Sequence, residues 1–295
     1  MGCAPSMPSG SMLRPLKQRF VKDNKSDVQL QQEQQQQQSE YLIETITDHN
    51  GGINCMEISE DRSLLVTGGE DATIRLWATM SSPIECLSIL YGHTSYITCC
   101  AIFNCHIVSG SADKSIRLWS IDSSDCIAIF KGHQAVINHL VFHERFIFSV
   151  SFDKTCRVWD IESNVQFTKN TLHQIDSDEL IDDEDDQVID ASKCCIRVLT
   201  GHTKSVTQVI YIPNEHIKRP HSAIIHETDI IVTASADSTI RTWSLETGEC
   251  LKVLSGHNGP VNCVVVDSVN RRQIYTGGAD GVIRCWDTIT GELVR

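Results

Sequence analysis

The amino-acid sequence predicts an all-β fold that is assembled from repeated units of four short strands. Three observations indicate this class: a short stretch with a fixed Asp-to-Trp spacing recurs along the chain, a Gly-His signature recurs upstream of it, and short apolar runs lie between the two. The chain has 295 residues, of which 41% are hydrophobic and 21% are charged, as is usual for a soluble protein. No apolar run approaches the roughly 18 residues that a membrane helix needs.

The recurring stretch contains an Asp that a Ser or Thr precedes by four residues and that a Trp follows by six. Its five copies are VTGGEDATIRLWA (66–78), VSGSADKSIRLWS (108–120), SVSFDKTCRVWD (149–160), VTASADSTIRTWS (232–244) and YTGGADGVIRCWD (275–287). The 5 tryptophans of these copies are all the tryptophans of the chain. A spacing that is kept in every copy indicates one structural unit used repeatedly.

The second signature is a Gly-His dipeptide upstream of each copy. It occurs at Gly92-His93, Gly132-His133, Gly201-His202 and Gly256-His257, and the first copy has Asp48-His49 in its place. A Cys opens each of the strand-like runs that precede the four Gly-His pairs, which are CLSIL (86–90), CIAIF (126–130), CIRVL (195–199) and CLKVL (250–254). Each unit is therefore predicted as strand, Gly-His turn, strand, turn, strand, Asp turn, and a strand that ends in Trp.

This pattern resembles the WD-repeat family, in which each unit builds one four-stranded blade of a β-propeller. The resemblance covers residues 41–295 and implies five recognisable blades, with the literal Trp-Asp pair at Trp159-Asp160 and Trp286-Asp287. Two arrangements remain open, a closed five-bladed ring and an incomplete, partial propeller. TGELVR (290–295) stops inside a strand that would open a sixth repeat, and YLIETI (41–46) has the phase of that same strand.

The resemblance implies a hydrogen-bonded tetrad of His, Ser or Thr, Asp and Trp inside each blade. An indole N–H only donates and a carboxylate only accepts, whereas a hydroxyl and a neutral imidazole do both, so a linear relay satisfies all four groups. The predicted tetrads are His49, Thr67, Asp71 and Trp77; His93, Ser109, Asp113 and Trp119; His133, Ser149, Asp153 and Trp159; His202, Thr233, Asp237 and Trp243; and His257, Thr276, Asp280 and Trp286.

A Ser, His and Asp set also suggests a hydrolase, which is the rival interpretation. A hydrolase needs one exposed Ser beside an oxyanion hole, whereas here the set recurs with a Trp attached and no copy has the GxSxG nucleophile elbow. We therefore expect a protein that is not an enzyme, with no catalytic residues, no cofactor and no small-molecule substrate. The CxxC spacing of a zinc site is also absent from the sequence, and the 13 cysteines are expected to be reduced thiols of a cytoplasmic protein.

The net charge of −13 comes mainly from one acidic run, DSDELIDDEDDQVID (176–190). It lies within an insertion of the fourth repeat and is predicted to be an acidic loop spanning 170–192, with docking of a basic partner as the functional alternative. No basic face is visible in the sequence, so nucleic-acid binding is not expected.

Residues 1–40 match no repeat and are predicted to be a disordered tail that ends in a glutamine tract. The start MGCAPS fits the myristoylation pattern with Gly2 as the acceptor, and Cys3 is a candidate for palmitoylation. Basic residues follow, so the tail carries the two signals that stable membrane anchoring requires. The alternative is a tail that merely begins with Met-Gly. The expected localisation is cytoplasmic, with peripheral attachment to the inner face of a membrane if the anchor is used.

The expected function is that of a non-catalytic scaffold that binds protein or peptide partners on the top face of the propeller. The resemblance places top-face contact positions three and five residues after each tetrad His and directly before each Asp. The predicted partner-binding residues at these positions are Phe152, Tyr96, Thr98, Asn138, Glu70 and Asn54. The alternatives are a substrate-recognition subunit of a ubiquitin ligase and a signalling adaptor of the G-protein-β-like type.

Overall fold

The computed structural model describes residues 44–163, 188–213, 229–269 and 271–294. The chain divides into residues 1–45 and a compact unit of residues 46–295, and the strands of the described residues lie in the second unit. This unit is all-β, and its strands form five successive antiparallel sheets, the blades. The open arc of five blades confirms the predicted fold class and favours the partial propeller over the closed ring.

Each blade is a meander in which strands that follow one another in the chain pair side by side. Blade 1 consists of β1 (Ile53–Ile58), β2 (Leu64–Gly69), β3 (Ile74–Ala78) and β4 (Glu85–Leu90). Blade 2 consists of β5 (Ile97–Phe103), β6 (His106–Ser111), β7 (Ser115–Ser120) and β8 (Cys126–Lys131). Blade 3 consists of β9 (Ile137–His143), β10 (Phe146–Ser151), β11 (Cys156–Asp160) and β13 (Cys195–Leu199), and blade 4 of β14 (Val206–Ile212), β15 (Ile230–Ser235), β16 (Thr239–Ser244) and β17 (Cys250–Ser255). Blade 5 consists of β18 (Val261–Val266), β19 (Gln273–Gly278) and β20 (Ile283–Asp287).

The sequence repeat and the blade are offset by one strand. The Cys-led run that opens each sequence unit pairs with the Trp-bearing strand of the preceding unit, as Cys86 does with Trp77 and Cys250 does with Trp243. The outermost strand of a blade therefore comes from the start of the next repeat. In blade 5 this position is held by one bridge between Trp286 and Leu293.

The hydrophobic core lies between adjacent blades in four clusters. We call the side of a blade that faces the next blade its forward face, and the side that faces the preceding blade its rear face. In the cluster between blades 1 and 2, the forward face of blade 1 contributes Ile74 and Leu76, and the rear face of blade 2 contributes Ile97 and Cys100. The same positions contribute to the other three clusters, except that the buried Thr242 stands in blade 4 at the position of Leu76.

The insertion of the fourth repeat rejoins the fold at the outer edge of blade 2. Residues 164–187, which include most of the acidic run, lie outside the described residues. Strand β12 (Ile189–Asp190) then pairs in parallel with β8, and a 3-10 helix (Ala191–Cys194) follows it. Ile189 is 8% exposed and Ala191 is fully buried against the cluster between blades 2 and 3. The end of the predicted acidic loop is therefore structured, from Val188 through Ser192.

Candidate functional site

The four tetrad positions of each repeat meet inside one blade. In blade 2 the indole Nε1 of Trp119 donates to the hydroxyl oxygen of Ser109 over 2.9 Å, and this hydroxyl lies 2.8 Å from Nε2 of His93. The Nδ1 of His93 lies 2.7 Å from a carboxylate oxygen of Asp113. Because the carboxylate can only accept, a neutral His93 donates from Nδ1 and accepts the Ser109 hydroxyl proton at Nε2.

The other four blades contain the same relay. The distances from His Nδ1 to the Asp carboxylate are 2.9 Å in blade 1, 2.7 Å in blade 3, 2.9 Å in blade 4 and 3.0 Å in blade 5. Every tetrad Trp is at most 2% exposed, and the Asp also accepts from the backbone N–H of the residue after the His. The tetrad thus ties the Gly-His turn to the Asp turn and both to the second and third strands.

The pKa values of His93, His202 and Asp237 favour a neutral imidazole and an ionised carboxylate. Burial lowers the pKa of His93 and of His202 below the usual range, although the Asp partner opposes this shift. Burial raises the pKa of Asp237, but the hydrogen bonds from Thr239, Thr203 and His202 outweigh it and lower the pKa to about 2. The histidine stays neutral, and the hydroxyl is hydrogen-bonded to two partners. The tetrad therefore acts as a structural brace that links turns and strands of the blade, and its hydroxyl is not placed as a nucleophile.

A row of arginines completes the brace, and the sequence interpretation missed it. Each copy of the repeat has an Arg four residues after its Asp, which is a signal as regular as the Trp. The guanidinium carbon of Arg117 lies 5.8 Å from the ring centroid of Trp119, and Arg157 and Arg241 lie similarly over their tryptophans. In blade 5, Arg284 instead pairs with Asp280 at 2.7 Å. Arg117, Arg157 and Arg241 thus cover one face of their indoles by cation–π contact.

The cysteines and the acidic side chains form no group that could hold a metal ion within residues 44–163, 188–213, 229–269 and 271–294. The 12 cysteines in these ranges are free thiols. Burial raises the pKa of Cys99 to about 12, so that this thiol stays protonated.

A cavity of about 440 Å³ lies at the top face, which is the side of the blades that carries the Gly-His and Asp turns. It is lined by Asn54, Glu70, Tyr96, Thr98 and Asn138. These residues come from blades 1, 2 and 3, at the start of the innermost strands β1, β5 and β9 and at the Asp turn of blade 1. The structure therefore brings together five of the six residues that were predicted to contact a partner.

Two of these residues also hold neighbouring blades together. The side-chain Nδ2 of Asn54 donates to the carbonyl of Ile97 over 2.8 Å, and that of Asn138 donates to the carbonyl of Val206 over 2.6 Å. The carboxylate of Glu70 accepts from the backbone N–H of Gly52 over 3.1 Å, which holds it at the rim of the cavity. Tyr96 is 43% exposed there.

The sixth predicted residue, Phe152, is not among those that line the cavity. It is 57% exposed, and its backbone N–H donates to the carbonyl of Val136 in the same blade. The exposed aromatic ring of Phe152 therefore lies on the Asp turn of blade 3, directly before Asp153. Gly2 and Cys3 lie outside the described residues, and no helix of the described part of the chain is long and apolar enough to cross a membrane.

Comparison with known families gives five matches to the WD domain, G-beta repeat. They cover residues 40–78, 84–120, 124–160, 193–244 and 248–287. The last four matches each begin near the outermost strand of one blade and end at the Trp-bearing strand of the next, which reproduces the one-strand offset of the structure.

Among curated proteins, the chain is similar to WD repeat-containing protein pop1 of Schizosaccharomyces pombe, with 31% identity over 252 residues, or 77% of this chain and 24% of that protein. It is also similar to human WD repeat-containing protein 86, with 43% identity over 60 residues, or 20% of this chain and 15% of that protein. The chain thus spans about a quarter or less of the length of these two relatives.

Among solved structures, the computationally designed Ika8 protein matches with a TM-score of 0.63 and 24% identity, covering 84% of this chain and 62% of that one. This likeness bears on the fold alone. Because the family matches cover most of the chain in five successive repeats, each with its own tetrad, the protein belongs to the WD-repeat family.

Proposed function

We propose that this protein is a non-catalytic scaffold that binds protein or peptide partners in the top-face cavity of blades 1–3. Membership in the WD-repeat family supports a protein-interaction scaffold. The observation that carries the more specific proposal is the convergence of Asn54, Glu70, Tyr96, Thr98 and Asn138 on one cavity. Sites of this kind combine a concave shape with a few polar groups that fix the orientation of what binds.

The chemistry of the cavity favours a partner with a basic side chain. Glu70 supplies a carboxylate at the rim, and Tyr96 supplies an exposed aromatic ring beside it. A Lys or Arg side chain gains from both, through a charge-assisted hydrogen bond and through cation–π contact with the ring. Phe152 provides a second exposed aromatic anchor for residues that flank the basic one.

A peptide library displayed on phage tests this proposal. We expect the wild-type chain to enrich peptides that share a Lys or Arg at one position, and Glu70→Gln to reduce their affinity by at least tenfold. Glu60→Gln is the matched control, because Glu60 is an exposed glutamate in the turn between β1 and β2, away from the cavity. Equal loss with both variants, or no enrichment by the wild type, would overturn the proposal.

A membrane tether through Gly2 and Cys3 is a separate proposal, and the sequence MGCAPS supports it. A single myristoyl chain binds membranes only marginally, so palmitoylation of Cys3 or the basic residues that follow would have to add to it. The experiment is fractionation of cells that express the wild type, Gly2→Ala or Cys3→Ser. Release of Gly2→Ala from the membrane fraction is expected, and an unchanged distribution would refute the tether.

The two alternative functions, ubiquitin-ligase substrate recognition and G-protein-β-like signalling, would use the same top face. Each of them needs an additional stable subunit. Complexes purified with the wild type and with Glu70→Gln can be compared by mass spectrometry. Ligands of the top face should be lost from the variant, whereas an additional stable subunit should remain bound to it.

A further inference from the structure

Two cysteines of neighbouring blades meet in the interface between blade 1 and blade 2. Cys55 lies on β1 and Cys100 lies on β5, which are the innermost strands of the two blades. Cys100 is 9% exposed and belongs to the hydrophobic cluster of this interface, and Cys55 packs against the same cluster. Both blades lie entirely within the described residues, so this interface has its two sides in place.

The direction of the Cys55 side chain follows from the glycine that pairs with it across the sheet. Cys55 on β1 pairs with Gly68 on β2, and a Cβ added at Gly68 would lie 2.8 Å from Sγ of Cys55 and 2.5 Å from Cγ2 of Ile97 in blade 2. Cys55 therefore points from the forward face of blade 1 into the space that Ile97 enters from the rear face of blade 2. Cys100 enters this space from the same rear face.

The next interface has the same arrangement with a different side chain on one side. A Cβ added at Gly110 in blade 2 would lie 2.7 Å from Sγ of Cys99 and 3.3 Å from Cδ2 of Leu140 in blade 3. Cys99 and Leu140 are the equivalents of Cys55 and Cys100, so the contact of the first pair locates the second. The corresponding pairs of the other two interfaces are His139 with Val209 and Gln208 with Val264. Of the four interfaces between the described blades, the one between blades 1 and 2 alone has cysteine on both sides.

The surroundings of the two thiols give them different chemical roles. The neighbouring Cys55 thiol and burial raise the pKa of the Cys100 thiol well above its usual range, so Cys100 stays protonated. Cys55 is partly exposed, so a small oxidant reaches it before it reaches Cys100. Sensor cysteines of this kind act in pairs, in which an accessible thiol is oxidised and a second thiol beside it completes the disulfide.

We propose that Cys55 and Cys100 are a redox pair, which hydrogen peroxide converts to a disulfide that joins blade 1 to blade 2. The Cys55 thiolate attacks one oxygen of the peroxide, the O–O bond breaks, and Cys55 becomes a sulfenic acid as hydroxide leaves. The Cys100 sulfur then attacks the Cys55 sulfur, and the sulfenic oxygen leaves as water with the proton of the Cys100 thiol. In sum, two thiols and one hydrogen peroxide give one disulfide and two waters.

The disulfide would reinforce a joint that hydrogen bonds already hold. Asn54, directly before Cys55, donates to the carbonyl of Ile97 in blade 2 over 2.8 Å. Because both thiols lie in one packed interface, the bond can form with little movement of the blades, and a cross-link between distant parts of the chain stabilises the folded state. In a reducing compartment such a bond is transient, which suits a sensor of oxidation rather than a permanent support.

The experiment maps disulfides in the full chain. The reduced protein is treated with limiting hydrogen peroxide at low protein concentration, the remaining thiols are blocked with N-ethylmaleimide, and proteolytic peptides are identified by mass spectrometry before and after reduction. We expect one dominant linked peptide that contains Cys55 and Cys100 and disappears on reduction. The same treatment in concentrated urea should give no such preference, because the unfolded chain does not hold the two thiols together.

Three alanine variants separate this pair from the cysteine next to it. Cys55→Ala and Cys100→Ala should form no dominant link, whereas Cys99→Ala should form the same link as the wild type. Cys99 is the matched control, because it is a buried cysteine adjacent to Cys100 whose side chain is directed toward blade 3. Circular dichroism of the reduced variants establishes that they fold, and the map of the wild type is informative even if a variant does not.

Thermal melting gives a second readout. The oxidised wild type should melt several degrees above the reduced wild type, and reduction should reverse the gain, whereas peroxide should leave the Tm of Cys100→Ala unchanged. The proposal is overturned if the wild type forms no link between Cys55 and Cys100, or if Cys55 links mainly to Cys99 or to another cysteine. A lower Tm after oxidation would also overturn it, because the bond would then form only by distortion of the interface.

Discussion

The hydroxyl of Ser109 is the common partner of two buried groups, the indole N–H of Trp119 at 2.9 Å and Nε2 of His93 at 2.8 Å. Ser109 itself is fully buried, so no water reaches the relay from its side. One small hydroxyl therefore satisfies a donor and an acceptor that would otherwise lie unpaired in the interior. Removal of the Ser109 hydroxyl should therefore destabilise blade 2 by more than the loss of either hydrogen bond alone.

Ser109→Ala is predicted to lower the free energy of unfolding substantially. It leaves the indole N–H of Trp119 and Nε2 of His93 without a partner, and each buried unsatisfied group costs about 1–3 kcal/mol. Ser109→Thr should keep most of the stability, because Thr holds this position in blades 1, 4 and 5. Urea unfolding measures the change, with the exposed Ser123→Ala as control. If Ser109→Ala and Ser123→Ala unfold at the same urea concentration, the brace has no energetic role.

Gly92→Ala is predicted to destabilise blade 2 for two reasons. Gly92 has a φ of +151°, which L side chains rarely adopt, and an added Cβ would lie 2.6 Å from Nη1 of Arg117. A strained backbone residue of this kind costs about 1–3 kcal/mol, and displacement of the arginine adds to it.

The control for Gly92→Ala is Gly259→Ala. Gly259 lacks a positive φ, and its added Cβ would meet the backbone nitrogen of Asp280 at 3.4 Å, which is an ordinary contact. Thermal melting should separate the two variants by several degrees, which corresponds to a difference of about 1 kcal/mol or more. Equal melting temperatures would contradict the requirement for glycine at position 92.

The tetrads could be predicted from the sequence because their hydrogen bonds need particular side chains at fixed spacing. Ser109, Asp113 and Trp119 recur in phase with their counterparts, and the resemblance to the WD-repeat family assigns them to one relay that suits a donor-only indole and an acceptor-only carboxylate. Asn54, Glu70 and Tyr96 could be placed on one face by family resemblance, although their convergence on a cavity is a tertiary result.

Other features could not be predicted because the sequence pattern does not encode them. A periodic sequence does not show where one blade ends, because the period is the same whichever residue is taken as the start of the repeat. The pairing of Cys86 with Trp77 shows that β4 belongs to blade 1. Strand β12 is two residues long and forms the end of the acidic run, so it lacks the alternation that marks a strand.

His139 is predicted to make stability depend on pH near neutrality. Burial lowers its pKa from 6.5 to about 4, and its Nδ1 has no hydrogen-bond partner. The folded state thus binds fewer protons than the unfolded state, so the stabilisation is complete above 6.5 and is lost as the pH falls toward about 4.

His139→Gln tests this assignment, because Gln208 occupies the same position in blade 4. The variant should show a smaller fall of Tm than the wild type over that pH window. A residual slope is expected from His93 and His202, whose pKa values are also lowered. The tetrad carboxylates act at lower pH, since the pKa of Asp237 falls from 3.8 to about 2. Parallel pH profiles for wild type and variant would show that another group is responsible.

Two deletions that differ by three residues are predicted to have different effects on stability. Removal of 176–187 takes out eight of the nine acidic residues of the run and should leave Tm nearly unchanged, because an acidic segment of this composition contributes little to a core. Removal of 176–190 also takes out Ile189, which is 8% exposed against blade 2, and Asp190, whose carboxylate accepts from Ser192 at the start of the 3-10 helix. Loss of a buried Ile side chain costs about 2–5 kcal/mol when it is truncated to Ala, so the longer deletion should melt several degrees lower.

Calorimetry of the two deletions and of Ile189→Ala measures the difference. The point variant controls for loop length and should reproduce most of the effect. If both deletions melt with the wild type, the contact of β12 with β8 does not stabilise blade 2.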